Sequence, residues 1–160
     1  MTIQPGDTIP DVSIKIIDGD IQSAQTGALF AGRHAVLFGV PGAFTPTCSN
    51  RHLPGYVGRF SEFHSRGISV MCLAVNDAYV MQAWATAQKV PQGLLMLADG
   101  NASFTRALGL ELDGTDFGMG LRTRRFALYA EDGVVCQLHL EAPGELRVST
   151  AEAMLAAIDR

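Results

Sequence analysis

Three strand-length runs of apolar residues constrain this chain most: 35–40 (AVLFGV), 67–75 (GISVMCLAV) and the GLLMLA within 92–98. A strand with one wet face alternates apolar and polar residues. An unbroken apolar run suits a strand covered on both faces, as in a parallel sheet. Helical periodicity lies between the runs. Leu53, Tyr56, Val57, Phe60 and Phe63 recur at three- and four-residue steps, with Arg59, Glu62 and Arg66 on the other face and Gly67 as the stop. Asp77 is placed to cap a second helix, with Val80, Ala83, Trp84 and Ala87 as its inward stripe. Asn101 is placed to cap a third, short helix that ends at Gly109. The resulting β-α-β-α-β-α order predicts an α/β fold.

The flanking segments add to this frame. Residues 12–17 (VSIKII) read as a short strand closed by Asp18-Gly19. Residues 110–124 have no clean period and read as a surface loop. Residues 125–130 and 134–140 flank Asp132-Gly133, a hairpin signal. Ser149 and Glu152 form a capping box for a C-terminal helix with Met154, Leu155 and Ile158 inward.

At 160 residues, with no repeat or linker-like stretch, the chain reads as one domain over 1–160. Twelve Lys and Arg against sixteen Asp and Glu give a net charge of −4 and no electrostatic footprint for nucleic acid. No run of eighteen apolar residues offers a membrane span. The N-terminus lacks a basic segment followed by an apolar run, so it does not read as a secretory signal. Cys48, Cys72 and Cys136 are odd in number and irregularly spaced, which argues against a disulfide framework. A reducing compartment, most simply the cytoplasm, is expected.

The chemistry concentrates in residues 41–55, PGAFTPTCSNRHLPG, which leave a buried strand and enter a helix. In an open α/β sheet ligands bind at the carboxyl ends of strands. Cys48 falls in the first turn of that helix, where free amides and the helix dipole favour a thiolate. Pro46 suits a helix start, Pro41 fixes the backbone leaving the strand, and Thr45 sets a hydroxyl three residues before the sulfur. Cys48 and His52, four apart, also have metal-ligand spacing, but two further ligands are not evident. A reacting thiolate needs a fixed cation. Arg122, Arg124 and Arg125 are the candidates. If Phe126 and Leu128 face the core, alternation puts Arg125 on the opposite side of the best-fixed backbone of the three. None of His34, His52, His64 and His139 shows a carboxylate partner in the sequence; His52 is placed to help bind a partner or thiol, but reads more simply as a helix-surface residue.

PGAFTPTC resembles the peroxiredoxin signature P-x-x-x-T-x-x-C. The longer V-P-G-A-F-T-P-T-C-S-x-x-H-L-P-G is similar to the type II, or peroxiredoxin-5-like, subfamily, as are residues 75–80 (VNDAYV) with Ala83-Trp84. RTRRF at 122–126 resembles the segment carrying that subfamily's active-site arginine, which places the role on Arg125. The resemblance implies a thioredoxin-like fold with extra N-terminal strands, then a C-terminal hairpin plus helix, usually as a homodimer. It implies reduction of hydrogen peroxide and alkyl hydroperoxides at Cys48, with Thr45 and Arg125 orienting the peroxide and Pro41 limiting solvent access. Neither metal, flavin nor haem is implied. Phe44 and Trp84, if exposed, would serve the dimer surface.

Some members of the family resolve the sulfenic acid with a second cysteine near the C-terminal helix. Here the matching stretch, 144–149, has none. Cys72 lies in an apolar strand run, and alternation puts Cys136 on a face with Val134, Leu138 and Leu140, so both are expected in the core. A one-Cys cycle completed by glutathione, glutaredoxin or thioredoxin follows. A thiol–disulfide oxidoreductase is weakened by the absence of C-x-x-C, and a non-catalytic redox sensor would stop after about one peroxide.

Overall fold

The structure is a computed structural model that describes residues 1–158. Nine strands and six α-helices follow one another along the chain among these residues. The strands are β1 (Ser13–Asp18), β2 (Asp20–Gln25), β3 (His34–Gly39), β4 (Ile68–Ala74), β5 (Leu95–Ala98), β6 (Glu111–Gly114), β7 (Gly120–Thr123), β8 (Phe126–Glu131) and β9 (Val134–Leu140). The helices are α1 (Thr26–Phe30), α2 (Leu53–Gly58), α3 (Phe60–Ser65), α4 (Ala78–Ala87), α5 (Ser103–Leu108) and α6 (Ala151–Ile158).

Seven strands form one mixed sheet in the order β2-β1-β5-β4-β3-β8-β9. The three apolar runs are its parallel centre, β5-β4-β3, and the remaining pairings are antiparallel. Both faces are covered, which is why those runs do not alternate. One face carries Val36, Phe38, Val70 and Cys72 beneath Leu53, Tyr56, Phe63, Trp84 and Met154 from the helices. The other carries Leu37, Met71, Leu73 and Phe126 against Phe30, Phe104 and Leu108. Gly39 stands opposite Phe126 in the β3–β8 register, and a Cβ there would lie 2.2 Å from the Phe126 ring, so only glycine fits.

Several expectations need correction. Residues 110–124 are not a plain loop: β6 and β7 pair as a two-stranded hairpin, with Leu110 and Thr123 buried at its base. In α4 the inward residues are Met81, Trp84 and Ala85 with Val80, while Ala83 and Ala87 are exposed. The carboxylate of Asp99, not Asn101, receives the Phe104 and Thr105 amides at the start of α5. Thr150, not Ser149, caps α6, accepting from the Ala153 amide at 3.1 Å. The hairpin at Asp132-Gly133 is as expected, with both residues at positive φ (49° and 77°) as a tight turn requires. Cys136, however, is exposed. Tyr129 pairs with Gln137 and Ala130 with Val135, so Cys136 is the extra residue of a β-bulge. The bulge resets the alternation and turns Val135, Leu138 and Leu140 to the core.

Candidate active site

The chain leaves β3 at Gly39 and turns through Pro41–Thr45 into a helix. The Asn76 side chain pins this turn, accepting from the Ala43 amide at 2.9 Å. The Thr45 hydroxyl donates to the Gly42 carbonyl at 2.7 Å. The first helical bond runs from the Ser49 amide to the Thr45 carbonyl, so the Cys48 amide precedes the first intrahelical donor. Residues Cys48–His52 form a π-helical turn closed by the Leu53 amide on the Cys48 carbonyl. Such one-turn insertions recur at functional sites. Here the wider turn lets Cys48 and His52 both be buried.

Arg125 immediately precedes β8 and reaches across to this turn. Its Nη2 donates to Cys48 Sγ at 3.2 Å and its Nη1 donates to His52 Nδ1 at 2.8 Å. A guanidinium can only donate, so Nδ1 carries no proton and the neutral ring holds its hydrogen on Nε2. That Nε2–H donates to the Ser149 carbonyl at 3.0 Å, which also accepts from the Tyr56 hydroxyl at 2.7 Å. Burial, then the Arg125 charge, hold the His52 pKa down at about 3. With both nitrogens engaged by protein partners, His52 offers no lone pair to a metal ion. Nothing in the spacing of the sequence marks His52 for this role, and it reads there more simply as a surface residue.

The structure thus brings Cys48, Thr45, Pro41 and Arg125 to one end of the sheet. Pro41, Thr47, Leu112, Arg124 and Arg125 border a cavity of about 170 Å³, while Cys48 itself is fully buried. Arg122 lies against the same Pro41–Thr45 turn, its Nη1 3.1 Å from where a Cβ on Gly42 would sit, but it donates to backbone carbonyls. Its Nε donates to the Met119 carbonyl and its Nη1 to the Val75 carbonyl at 3.4 Å, tying the β6–β7 hairpin to the end of β4. Cys72 is fully buried on β4, and burial, with the nearby Cys48 charge, pushes its thiol well up. Trp84 is fully buried too, its indole N–H donating to the Ser49 hydroxyl at 3.0 Å, whereas Phe44 is exposed.

The Redoxin family matches residues 4–155 of the chain. Peroxiredoxin-2E-2, chloroplastic, of Oryza sativa subsp. japonica is 47% identical over 164 residues, covering 98% of this chain and 73% of that protein. The chain is a peroxiredoxin. Reduced Prx3 of Vibrio vulnificus in complex with hydrogen peroxide superposes with a TM-score of 0.92 at 46% identity, covering 99% of this chain and 98% of that one. Peroxiredoxin 5 of Alvinella pompejana gives 0.86 at 36% identity, with 99% of each chain covered. The peroxiredoxin therefore has the thioredoxin-like fold and is a thiol-dependent peroxidase, an oxidoreductase. The β1–β2 hairpin supplies its extra N-terminal strands, and β8, β9 and α6 its C-terminal hairpin and helix. Among the described residues no helix is long and apolar enough to cross a membrane.

Proposed function

We propose that this peroxiredoxin reduces hydrogen peroxide and alkyl hydroperoxides at Cys48 by a one-Cys cycle, as a type II, peroxiredoxin-5-like enzyme. The observation that carries the reading is the Arg125 guanidinium donating to the buried Cys48 sulfur. The thiolate attacks one peroxide oxygen and a new S–O bond forms as the O–O bond breaks. The bonding pair leaves on the distal oxygen, which takes a proton to become water or alcohol. The sulfur is oxidised by two electrons to sulfenic acid, and the peroxide is reduced by the same two. Because the Thr45 proton points at the Gly42 carbonyl, its oxygen lone pairs are free to accept the peroxide O–H. Arg125, with the Cys48 amide, meets the charge on the departing oxygen. Pro41 walls the thiol from solvent.

An external thiol then condenses with the sulfenic acid, releasing water, and a second thiol reduces the mixed disulfide. Glutathione with glutaredoxin, or thioredoxin, is the proposed donor. Two features support the one-Cys cycle. Cys72 is buried with its thiol pushed up, a poor nucleophile. Cys136 sits by Ala130, whose partner in β3 is Ala35, while Cys48 follows the far end of that strand. Bridging two cysteines requires Cα atoms within about 7 Å. The three free thiols suit a reducing compartment such as the cytoplasm, although the plant relative is chloroplastic by name. Exposed Phe44, Tyr79 and Phe117 support a homodimer.

Intact mass after one equivalent of peroxide, with and without a sulfenic-acid trap, tests the cycle. The expected product is one trapped adduct at Cys48, with Cys72 and Cys136 still free thiols. Loss of two hydrogens, or a doubled mass, overturns the one-Cys cycle. Many turnovers per chain with a thiol donor present are expected; a stop near one overturns the peroxidase cycle in favour of a sensor.

A further inference from the structure

Arg125 has a long, flexible side chain, yet its two terminal nitrogens must stay divided between His52 and Cys48. We propose that Glu141 is a positioning residue for the peroxide reaction, acting on Arg125 through Ser149 and His52. This rests on the reading of Cys48 and Arg125 given above.

Glu141 directly follows β9 and is buried, 4% exposed, an uncommon place for a carboxylate. One oxygen, Oε2, accepts from the backbone amides of Arg147, Val148 and Ser149 at 2.8, 2.9 and 2.8 Å, and from the Ser149 hydroxyl at 2.7 Å. Three successive amides gathered on one oxygen fix the segment ahead of α6. What that segment presents is the Ser149 carbonyl, which orients the His52 ring. His52 in turn holds Arg125 Nη1, and Nη2 is left for the sulfur. Glu141 also grips the other end of the same residue, its own amide donating to the Arg125 carbonyl at 3.1 Å. Arg125 is thus held from backbone and guanidinium by one residue's two halves.

The negative charge matters to the clamp. Hydrogen bonds to an ionised acceptor are roughly twice as strong as neutral ones. Burial pushes the Glu141 carboxyl up, but the Ser149 hydroxyl and the three amides outweigh it and hold the group below its ordinary range. A glutamine would keep the size and lose the charge. The clamp then loosens, the Ser149 carbonyl drifts, and Arg125 spreads over more than one rotamer.

The test is a double-mutant cycle read by stopped-flow oxidation of Cys48 with hydrogen peroxide. The variants are Glu141→Gln, His52→Leu and the pair, with circular dichroism confirming a folded state. His52→Leu cuts the relay outright. The expected result is a slowing of about tenfold in Glu141→Gln, and no further slowing when it is added to His52→Leu. A wild-type rate in Glu141→Gln, or slowings that multiply, overturns the role, since a merely structural loss would not depend on His52. Should Glu141→Gln fail to fold, Ser149→Ala replaces it in the same cycle and is read the same way, with an expected slowing of about threefold. Wild type and Cys48→Ser run alongside. A wild-type protein that leaves peroxide unreduced overturns the reading of Cys48, and this role with it; an active wild type with an unaffected variant overturns the role alone.

Discussion

His52 is a base held neutral inside the protein, and that has a consequence for stability. Its pKa is about 3 in the folded chain, against the ordinary 6.5 it regains on unfolding. Between those values the unfolded chain takes up a proton that the native chain refuses. Stability from this residue is therefore complete above about pH 6.5 and falls as the pH drops toward 3. The slope approaches about 1.4 kcal/mol per pH unit. His52→Gln keeps a hydrogen-bonding side chain of similar size but cannot take that proton. Urea unfolding between pH 6.5 and 4 is expected to lose stability less steeply in the variant, by about 1 kcal/mol per unit. Equal slopes would mean that the native site accepts the proton. The same ring explains why residue-scale reading of the sequence stopped short here. Cys48 and His52 are spaced as neighbours on one helix face, but nothing in that spacing shows that a π-helical turn buries both.

At the scale of elements, β9 is where simple alternation fails. A period-two reading puts Cys136 with Val134, Leu138 and Leu140, yet one bulged residue reverses it, turning Cys136 out and Val135 in. Labelling checks this directly. A maleimide added to the native, reduced protein is expected to modify Cys136, while Cys72 reacts only after denaturation. Partial desolvation and the Glu131 charge push the exposed Cys136 thiol up, so the reaction is expected to quicken at alkaline pH. Protection of Cys136 in the native monomer would mean that the bulge is absent. Elsewhere the legibility of each element tracks its environment. The runs in β3, β4 and β5 are readable because both faces are buried. The β6–β7 hairpin is not, because its eight strand residues include two glycines and only two leucines. The α4 stripe shifted because Ala83 and Ala87 are apolar enough to fit either face, while Met81 and Ala85 fill the inward positions. The cap of α6 moved one place because Ser149 and Thr150 are adjacent hydroxyls, and the buried one serves Glu141 instead.

For the whole molecule, the loops around Cys48 form a connected rim rather than three independent tips. Asn76 holds the 41–45 turn through the Ala43 amide, and Arg122 ties the β6–β7 hairpin to the Val75 carbonyl. Large exposed hydrophobics stand on or next to these segments: Phe44 in the turn, Tyr79 in the first turn of α4 and Phe117 between β6 and β7, at 56%, 78% and 83% exposure. Phe44 is moreover held at a positive φ of 62°, a conformation that costs a non-glycine residue roughly 1–2 kcal/mol. Large exposed side chains grouped on one rim mark a surface for association, and aromatic residues are enriched at the centre of such surfaces. The proposed homodimer places that rim against its copy. Two-fold symmetry then counts each substitution twice, so one charge on the rim repels its own image across the axis. Sedimentation velocity of the wild type is expected to give twice the 17.1 kDa chain mass at micromolar concentration. Tyr79→Glu is expected to shift the species to a single chain, with unchanged circular dichroism because Tyr79 packs on nothing in the core. A variant that stays dimeric would move the interface off this rim. Since the same loops carry the Cys48 turn, dissociation is also expected to slow peroxide reduction, and restoring the dimer at higher protein concentration should restore the rate.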